Sequence, residues 1–240
     1  MRIINLSSSF LNNYLLEDNG CYIAIDTGYA GGFDKFKSAL ERASITPGKL
    51  TYILITHVHD DHVGFLNELA LGTNAAIIMH TAASERLAEG KNRSTGGCSS
   101  RLNKFVFKAM ELSGKSKHAF PPFTADNRVL LWESGRPQIL EEQGLPFKLL
   151  PLPGHTADSI GLLTKDGNLF CGDAAMNGFP SSRRVSFWIE DLEKYQKSWS
   201  LMLESGAKVI FPTHGKPFPA SDLAGFRPEL EKVKLHPVTF

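Results

Sequence analysis

Leu50-Thr51-Tyr52-Ile53-Leu54-Ile55-Thr56 runs directly into His57-Val58-His59-Asp60-Asp61-His62, and this join decides the fold. The apolar run is β-branched, aromatic or aliphatic, lies between Pro47-Gly48 and Gly64, and has the length of a strand buried on both faces. If the chain stays extended past Ile55, His57 and His59 project to the same side, because side chains alternate along a strand. Asp61 and His62 follow around a turn and open a segment, Val63 to Leu71, with helical spacing at Phe65, Leu66, Leu69 and Ala70. Three of the chain's eight histidines and the ligand-type carboxylate of Asp61 therefore sit at the end of one strand. Neutral imidazole and carboxylate are the ligand types of zinc and related divalent ions, so the cluster reads as a metal site.

Working outward, the sequence alternates strands and helices. Asn13 to Leu16 and Tyr22 to Ile25 flank the turn-forming Glu17-Asp18-Asn19-Gly20, as a hairpin requires. Phe33 to Ala43 has helical spacing and stops before Pro47-Gly48. Ala75 to Met79, Phe147 to Leu152, Ser159 to Thr164, Asn168 to Cys171 and Lys208 to Phe211 read as strands, and Asp191 to Glu204 as an amphipathic helix. This order predicts an α/β architecture. Residues 86–118 stand apart: eight basic against two acidic side chains give a local excess of six positive charges. Leu102 to Leu112 has helical character, and the stretch from about 90 to 125 is expected to be a helical or loop insertion in a single domain spanning 1–240, either a lid over the site or a solvated surface helix with flanking loops.

Three more ligand-type residues each follow an apolar run and adjoin glycine: Gly154-His155, Gly172-Asp173 and His214-Gly215. Strand ends feeding short loops are where α/β sheets carry functional groups, and glycine lets the backbone come close. With the cluster at 57 to 62 this makes seven candidate ligands, enough for two ions.

At Thr56-His57-Val58-His59-Asp60-Asp61-His62, Pro153-Gly154-His155-Thr156, Gly172-Asp173 and Thr213-His214-Gly215, together with Asp26-Thr27-Gly28, the chain resembles the metallo-β-lactamase superfamily. The resemblance covers residues 1 to 216. It implies an αββα sandwich of two mixed β-sheets flanked by helices. It places His57, His59 and His155 on one metal, Asp61, His62 and His214 on a second, and Asp173 between them. Asp173 is unlike the antibiotic-hydrolysing members, and His59 is unlike the flavodiiron type. The implied activity is metal-dependent hydrolysis of a small ester, thioester or lactone by a hydroxide bridging two metals; Asp61 reads first as a ligand and, alternatively, as a catalytic group that also orients the nucleophile or takes its proton. The ligand pattern is that of glyoxalase II-like thioesterases and homoserine-lactone hydrolases. The alternatives are a mononuclear iron persulfide dioxygenase, for which His57, His155 and Asp173 would suffice, and a phosphodiesterase of the same superfamily. Two divalent ions per chain are expected; ligand type favours zinc, and His/Asp sets also accept manganese and iron. Asp26 is a candidate to accept a ligand histidine N–H, and Tyr29, Asn177 and Phe179 are candidate substrate contacts.

Composition sets the remaining expectations. Lys and Arg number 26 against 25 Asp and Glu, so overall charge points neither to nucleic acid nor to an anionic membrane. No apolar stretch approaches the ~20 residues of a membrane span, and the start has no secretory-signal pattern. The three cysteines are far apart, and Cys21 and Cys171, in apolar runs, read as buried thiols. A cytoplasmic location and a small-molecule substrate are expected, with no nucleic acid or membrane partner; homodimers are common at this chain length.

Overall fold

The structure, a computed structural model, describes residues 1–6, 11–112, 118–124 and 126–238. In chain order the strands are β1 Arg2–Asn5, β2 Tyr14–Asp18, β3 Cys21–Ile25, β4 Tyr52–Leu54, β5 Ala76–His80, β6 Gly97–Cys98, β7 Val129–Trp132, β8 Phe147–Pro151, β9 Ile160–Thr164, β10 Asn168–Gly172, β11 Trp188–Ile189, β12 Val209–Pro212 and β13 Phe218–Pro219. The helices are α1 Phe33–Arg42, α2 Asp60–Val63, α3 Leu66–Leu71, α4 Ala83–Glu89, α5 Arg101–Leu112, α6 Ile139–Glu142, α7 Leu192–Glu204 and α8 Ser221–Leu230. The chain divides into two compact units, Met1–Asn92 with Ala119–Leu145, and Arg93–His118 with Pro146–Phe240.

The first unit is built on a mixed sheet in the order β1-β2-β3-β4-β5-β7. β1, β2 and β3 are antiparallel, with the hairpin closing at Asp18 opposite Cys21, and β3, β4, β5 and β7 run parallel. The parallel strands explain the continuous apolar reading of residues 52–55: Ile53, Leu54 and Ile55 are all buried. Phe36, Ala39 and Leu40 of α1 and Leu66, Leu69 and Ala70 of α3 join Leu15, Ala24, Ile53 and Ile77 in one core. Each large apolar side chain so buried contributes about 1.5–3 kcal/mol.

The helix expected from Val63 to Leu71 is instead two, α2 and α3, broken at Gly64-Phe65. The cause is a close approach: Gly64 presses on the backbone of Gly28 to Ala30, leaving no room for a Cβ. Cys171 is buried as expected; Cys21 is half-buried, because it opens β3 beside the exposed turn at Asn19-Gly20.

The second unit carries a mixed sheet in the order β13-β12-β10-β9-β8, with β10 and β12 parallel and the other neighbours antiparallel. Tyr195, Trp199 and Met202 lie on one face of α7 and pack with Leu152, Leu169 and Ile210. Asp191 caps α7, its carboxylate accepting from the Lys194 backbone N–H. β6 and β11 form a two-stranded ribbon, and α5 is anchored on it by Phe107, whose ring lies 5.7 Å from that of Trp188. Among the described residues, no helix is long and apolar enough to cross a membrane.

Candidate metal centre

In the first unit the ligand-type residues follow directly from two parallel strands. β3 and β4 pair in register to Ile25 opposite Leu54, so Asp26 and Thr56 emerge from adjacent strand ends. Asp26 is buried with φ of 57° and serves as the hub. One carboxylate oxygen accepts the Thr56 backbone N–H at 2.7 Å. The other accepts the Thr56 hydroxyl at 2.7 Å and His62 Nδ1 at 2.8 Å. Thr27 completes the clamp, its backbone N–H and its hydroxyl both donating to the His62 carbonyl at 2.8 Å. The Asp26-Thr27-Gly28 turn thus fixes the loop from Thr56 to His62 at both ends.

These bonds also fix tautomers. His62 Nδ1 donates to the Asp26 carboxylate, so in the neutral ring Nε2 is the nitrogen with the lone pair. Thr56 spends its one hydrogen on Asp26, so at 3.1 Å its oxygen accepts from His57 Nδ1, which again leaves Nε2 as the lone-pair nitrogen. His57 Nε2 lies 3.2 Å from His59 Nδ1, with the rings edge to face at 81°. Two imidazoles on one tetrahedral ion, with bonds of about 2.0–2.1 Å, have their nitrogens about 3.3–3.4 Å apart. The His57 and His62 rings are 3.9 Å apart between centroids, and His62 Nε2 lies 3.7 Å from an Asp61 oxygen. The residues brought together here are the four that the sequence singled out: His57, His59, Asp61 and His62.

One neighbour, Asn92, was not legible in the sequence. Asn92 grips Asp60 reciprocally, its amide oxygen accepting the Asp60 backbone N–H at 2.9 Å and its amide nitrogen donating to the carboxylate at 2.7 Å. Burial, with the Asp61 charge adding to it, pushes the Asp60 carboxyl up to about 6. Asp60 is therefore a loop anchor with its own protonation behaviour. Only its distance from Asn92, 32 positions away, kept the pairing out of view.

In the second unit β8 leads into Pro153-Gly154-His155. Gly154 has φ of 130°, and a Cβ there would collide with the Tyr195 backbone, so the turn presenting His155 requires glycine. His155 Nδ1 donates to the Trp188 carbonyl of β11 at 2.8 Å, which again leaves Nε2 as the lone-pair nitrogen. Asp173 and His214 follow the neighbouring parallel strands β10 and β12, and Thr213 N–H bonds back to the Gly172 carbonyl at 3.1 Å. One Asp173 oxygen lies 3.7 Å from His155 Nε2 and 3.5 Å from His214 Nε2. A single carboxylate oxygen thus stands between two imidazole nitrogens.

Around Asp173 the support is again non-local. The Ser186 hydroxyl donates to the Asp173 carbonyl and is within 2.8 Å of the Tyr195 hydroxyl. Burial drives the Tyr195 phenol well above its ordinary range, so it stays neutral and serves as a fixed hydrogen-bonding post. Asn177 donates its backbone N–H to the His214 carbonyl at 2.9 Å and its side-chain amide to the Lys216 carbonyl at 2.7 Å, while its amide oxygen accepts from Arg184. The first two contacts hold the His214 loop, and Arg184 holds the Asn177 side chain in place. Phe179 is 84% exposed and Tyr29 49% exposed. Of the histidines outside the ligand motifs, His118 stacks on Phe107, the His236 backbone pairs with that of Cys98, and His80 accepts from Ala82 N–H.

Residues 9–214 match the metallo-beta-lactamase superfamily model. The chain belongs to the metallo-beta-lactamase superfamily. Its members are generally metal-dependent hydrolases, and two mixed sheets with helices are its fold. A Drosophila melanogaster "Beta-lactamase-like protein 2 homolog" is 27% identical over 85% of this chain and 58% of its own length. The uncharacterised protein YobT of Bacillus subtilis is 26% identical over 93% of this chain and 91% of its own. The chain spans 58% and 48% of the lengths of two curated relatives it matches, the fly protein and a fungal lactamase-like protein of Trichophyton rubrum. Among solved structures, a metallo-beta-lactamase of Cronobacter sakazakii superposes with a TM-score of 0.68 at 18% identity, over 95% of this chain and 88% of that one. A metallo-beta-lactamase superfamily protein of the archaeon Sulfolobus tokodaii gives 0.64 at 19% identity, over 100% and 89%. At these identities the structures speak for the fold alone.

Proposed function

We propose that this superfamily member is a dinuclear metal-dependent hydrolase of a small ester, thioester or lactone. In this reading His57, His59 and His155 hold one divalent ion, Asp61, His62 and His214 hold a second, and Asp173 lies between the two. The observation that carries it is the way three of the histidine rings are tied. The second nitrogen of His57, His62 and His155 is tied to Thr56, Asp26 and the Trp188 carbonyl respectively. Each ring is left with the lone pair a cation needs, and each tie is the kind that orients a metal-bound histidine. The donor set of nitrogens and carboxylate oxygens suits zinc, with manganese and iron as alternatives.

When bound, a pair of such ions supplies a hydroxide at neutral pH and a Lewis acid for the substrate carbonyl. The chain's own residues do the rest. Asp61, less buried than the histidines around it, is placed to accept the proton released as the nucleophile forms. Asp26 holds His62 and, through Thr56, His57, so that both rings keep one orientation through turnover. Ser186 and Tyr195 fix the main chain at Asp173.

A panel of lactones, thioesters and phosphodiesters, assayed before and after chelation and after zinc is restored, tests the reading. Hydrolysis of a lactone, ester or thioester is expected, abolished by the chelator and recovered with metal. Hydrolysis that a chelator leaves intact would refute the metal assignment. Oxygen uptake with a persulfide in place of hydrolysis would make the protein an oxidoreductase, and preference for a phosphodiester would move the substrate class.

A further inference from the structure

The near-neutral total charge of the chain conceals a segregation of charge and apolar surface on α5. Its inward face carries Asn103, bonded to Ser99, and Phe107, packed on Trp188. On the solvent side, Leu102 is 54% exposed, Phe105 71% and Leu112 91%, and Ala109 is exposed too. The spacing of 102, 105, 109 and 112 puts all four on one stripe of the helix. Arg101 and Lys108, both exposed, and the half-exposed Lys104, whose ammonium donates to the Pro237 carbonyl at 2.8 Å, form a second row along one flank of that stripe. Bulky apolar groups turned to water beside a row of cations are what a helix lying in a lipid interface presents.

A second feature of the same unit has matching chemistry. A cleft of about 460 Å³ opens at the start of α5, lined by Ser99, Arg101, Ser182, Arg183, Lys232 and Lys234 among others. Glu229 is the one acid among its described lining residues. Guanidinium, ammonium and hydroxyl donors around a cavity of this size suit a phosphate group.

We infer that α5 and its adjoining basic cleft dock this protein on an anionic phospholipid surface, with Leu102, Phe105 and Leu112 entering the interface and the cleft taking a headgroup phosphate. Charge decides between this occupant and a second copy of the chain: in a two-fold interface across α5 the row of Arg101, Lys104 and Lys108 would face its own image. The inference departs from the expectation of no membrane partner, which rested on the whole-chain balance of 26 basic against 25 acidic residues and on the lack of an apolar run of the ~20 residues a span needs.

The test is co-sedimentation of the full chain with vesicles of phosphatidylcholine alone and of phosphatidylcholine mixed with phosphatidylglycerol, at low and high salt. Two variants accompany it. One combines Leu102→Ser, Phe105→Ser and Leu112→Ser; the other combines Arg183→Gln, Lys232→Gln and Lys234→Gln. All six side chains are exposed, so both variants are expected to keep the parent's melting temperature. Binding is expected to be about tenfold or more stronger to the anionic vesicles, to weaken with salt, and to fall roughly fivefold per cation removed. The apolar variant is expected to lose it. Equal binding to neutral vesicles, no vesicle binding, or variants that bind like the parent would overturn the inference. So would a concentration-dependent dimer that the apolar variant abolishes without any vesicle binding, or capture of an acidic amphipathic peptide in place of vesicles.

Discussion

His59→Ala is expected to bind one metal equivalent fewer than the parent and to lower kcat/KM by about a thousandfold or more, since the nucleophile depends on the ions the ligand set holds. Asp173→Ala is expected to do at least as much, because one of its oxygens is within 3.7 Å of His155 and 3.5 Å of His214, so a single change removes a group that faces both imidazoles. Metal content by elemental analysis and hydrolysis kinetics, measured on the same preparations, check both. The far-ultraviolet circular dichroism of the two variants should match the parent, because the sheets are held by apolar cores in which neither side chain takes part. A His59→Ala protein with full metal content and full activity would remove His59 from the site.

Asp26→Ala is expected to act differently, on stability and on metal affinity together. It would leave the Thr56 N–H, the Thr56 hydroxyl and the His62 Nδ1–H without their acceptor in a buried setting. Each such loss costs about 1–3 kcal/mol, so destabilisation of about 3–5 kcal/mol is expected, read as a fall in melting temperature of roughly 10 °C for the metal-free protein. His62 and His57 would also lose the bonds that set their tautomers, and metal affinity should drop about 10–100-fold. Asp26→Asn retains the side chain's shape and one acceptor oxygen, so it should recover part of the stability and little of the affinity. Unchanged melting and unchanged metal affinity in Asp26→Ala would show that the turn, and not the carboxylate, organises the loop.

What could be read from the sequence is what local patterning encodes. The apolar run before His57 is a strand because consecutive β-branched and aliphatic residues fit a parallel sheet buried on both faces, and β4 lies between β3 and β5. The seven ligand-type residues were visible because each sits at a strand end with a distinctive neighbour, not because their spacing in the chain reveals contact. The hairpin at residues 17–20 was legible from its turn chemistry, and α7 from its apolar stripe. The break at Gly64-Phe65 was not, since it depends on the backbone of Gly28 to Ala30 approaching from elsewhere. Asn92, Ser186, Tyr195 and the Trp188 carbonyl carry no local signal either: an amide, two hydroxyls and a peptide oxygen acquire roles only when folding brings them to Asp60, Asp173 and His155. The outward stripe of α5 shows the converse. Its helical spacing was evident, but which face was buried depended on Phe107 finding Trp188.

Metal stoichiometry is the measurement on which the account turns. Protein expressed without added metal and purified without chelator should contain two divalent ions per chain, predominantly zinc, and His62→Ala or His155→Ala should each hold fewer. One iron per chain would contradict the dinuclear assignment, and a chain that binds no divalent metal under any loading condition would contradict the site altogether.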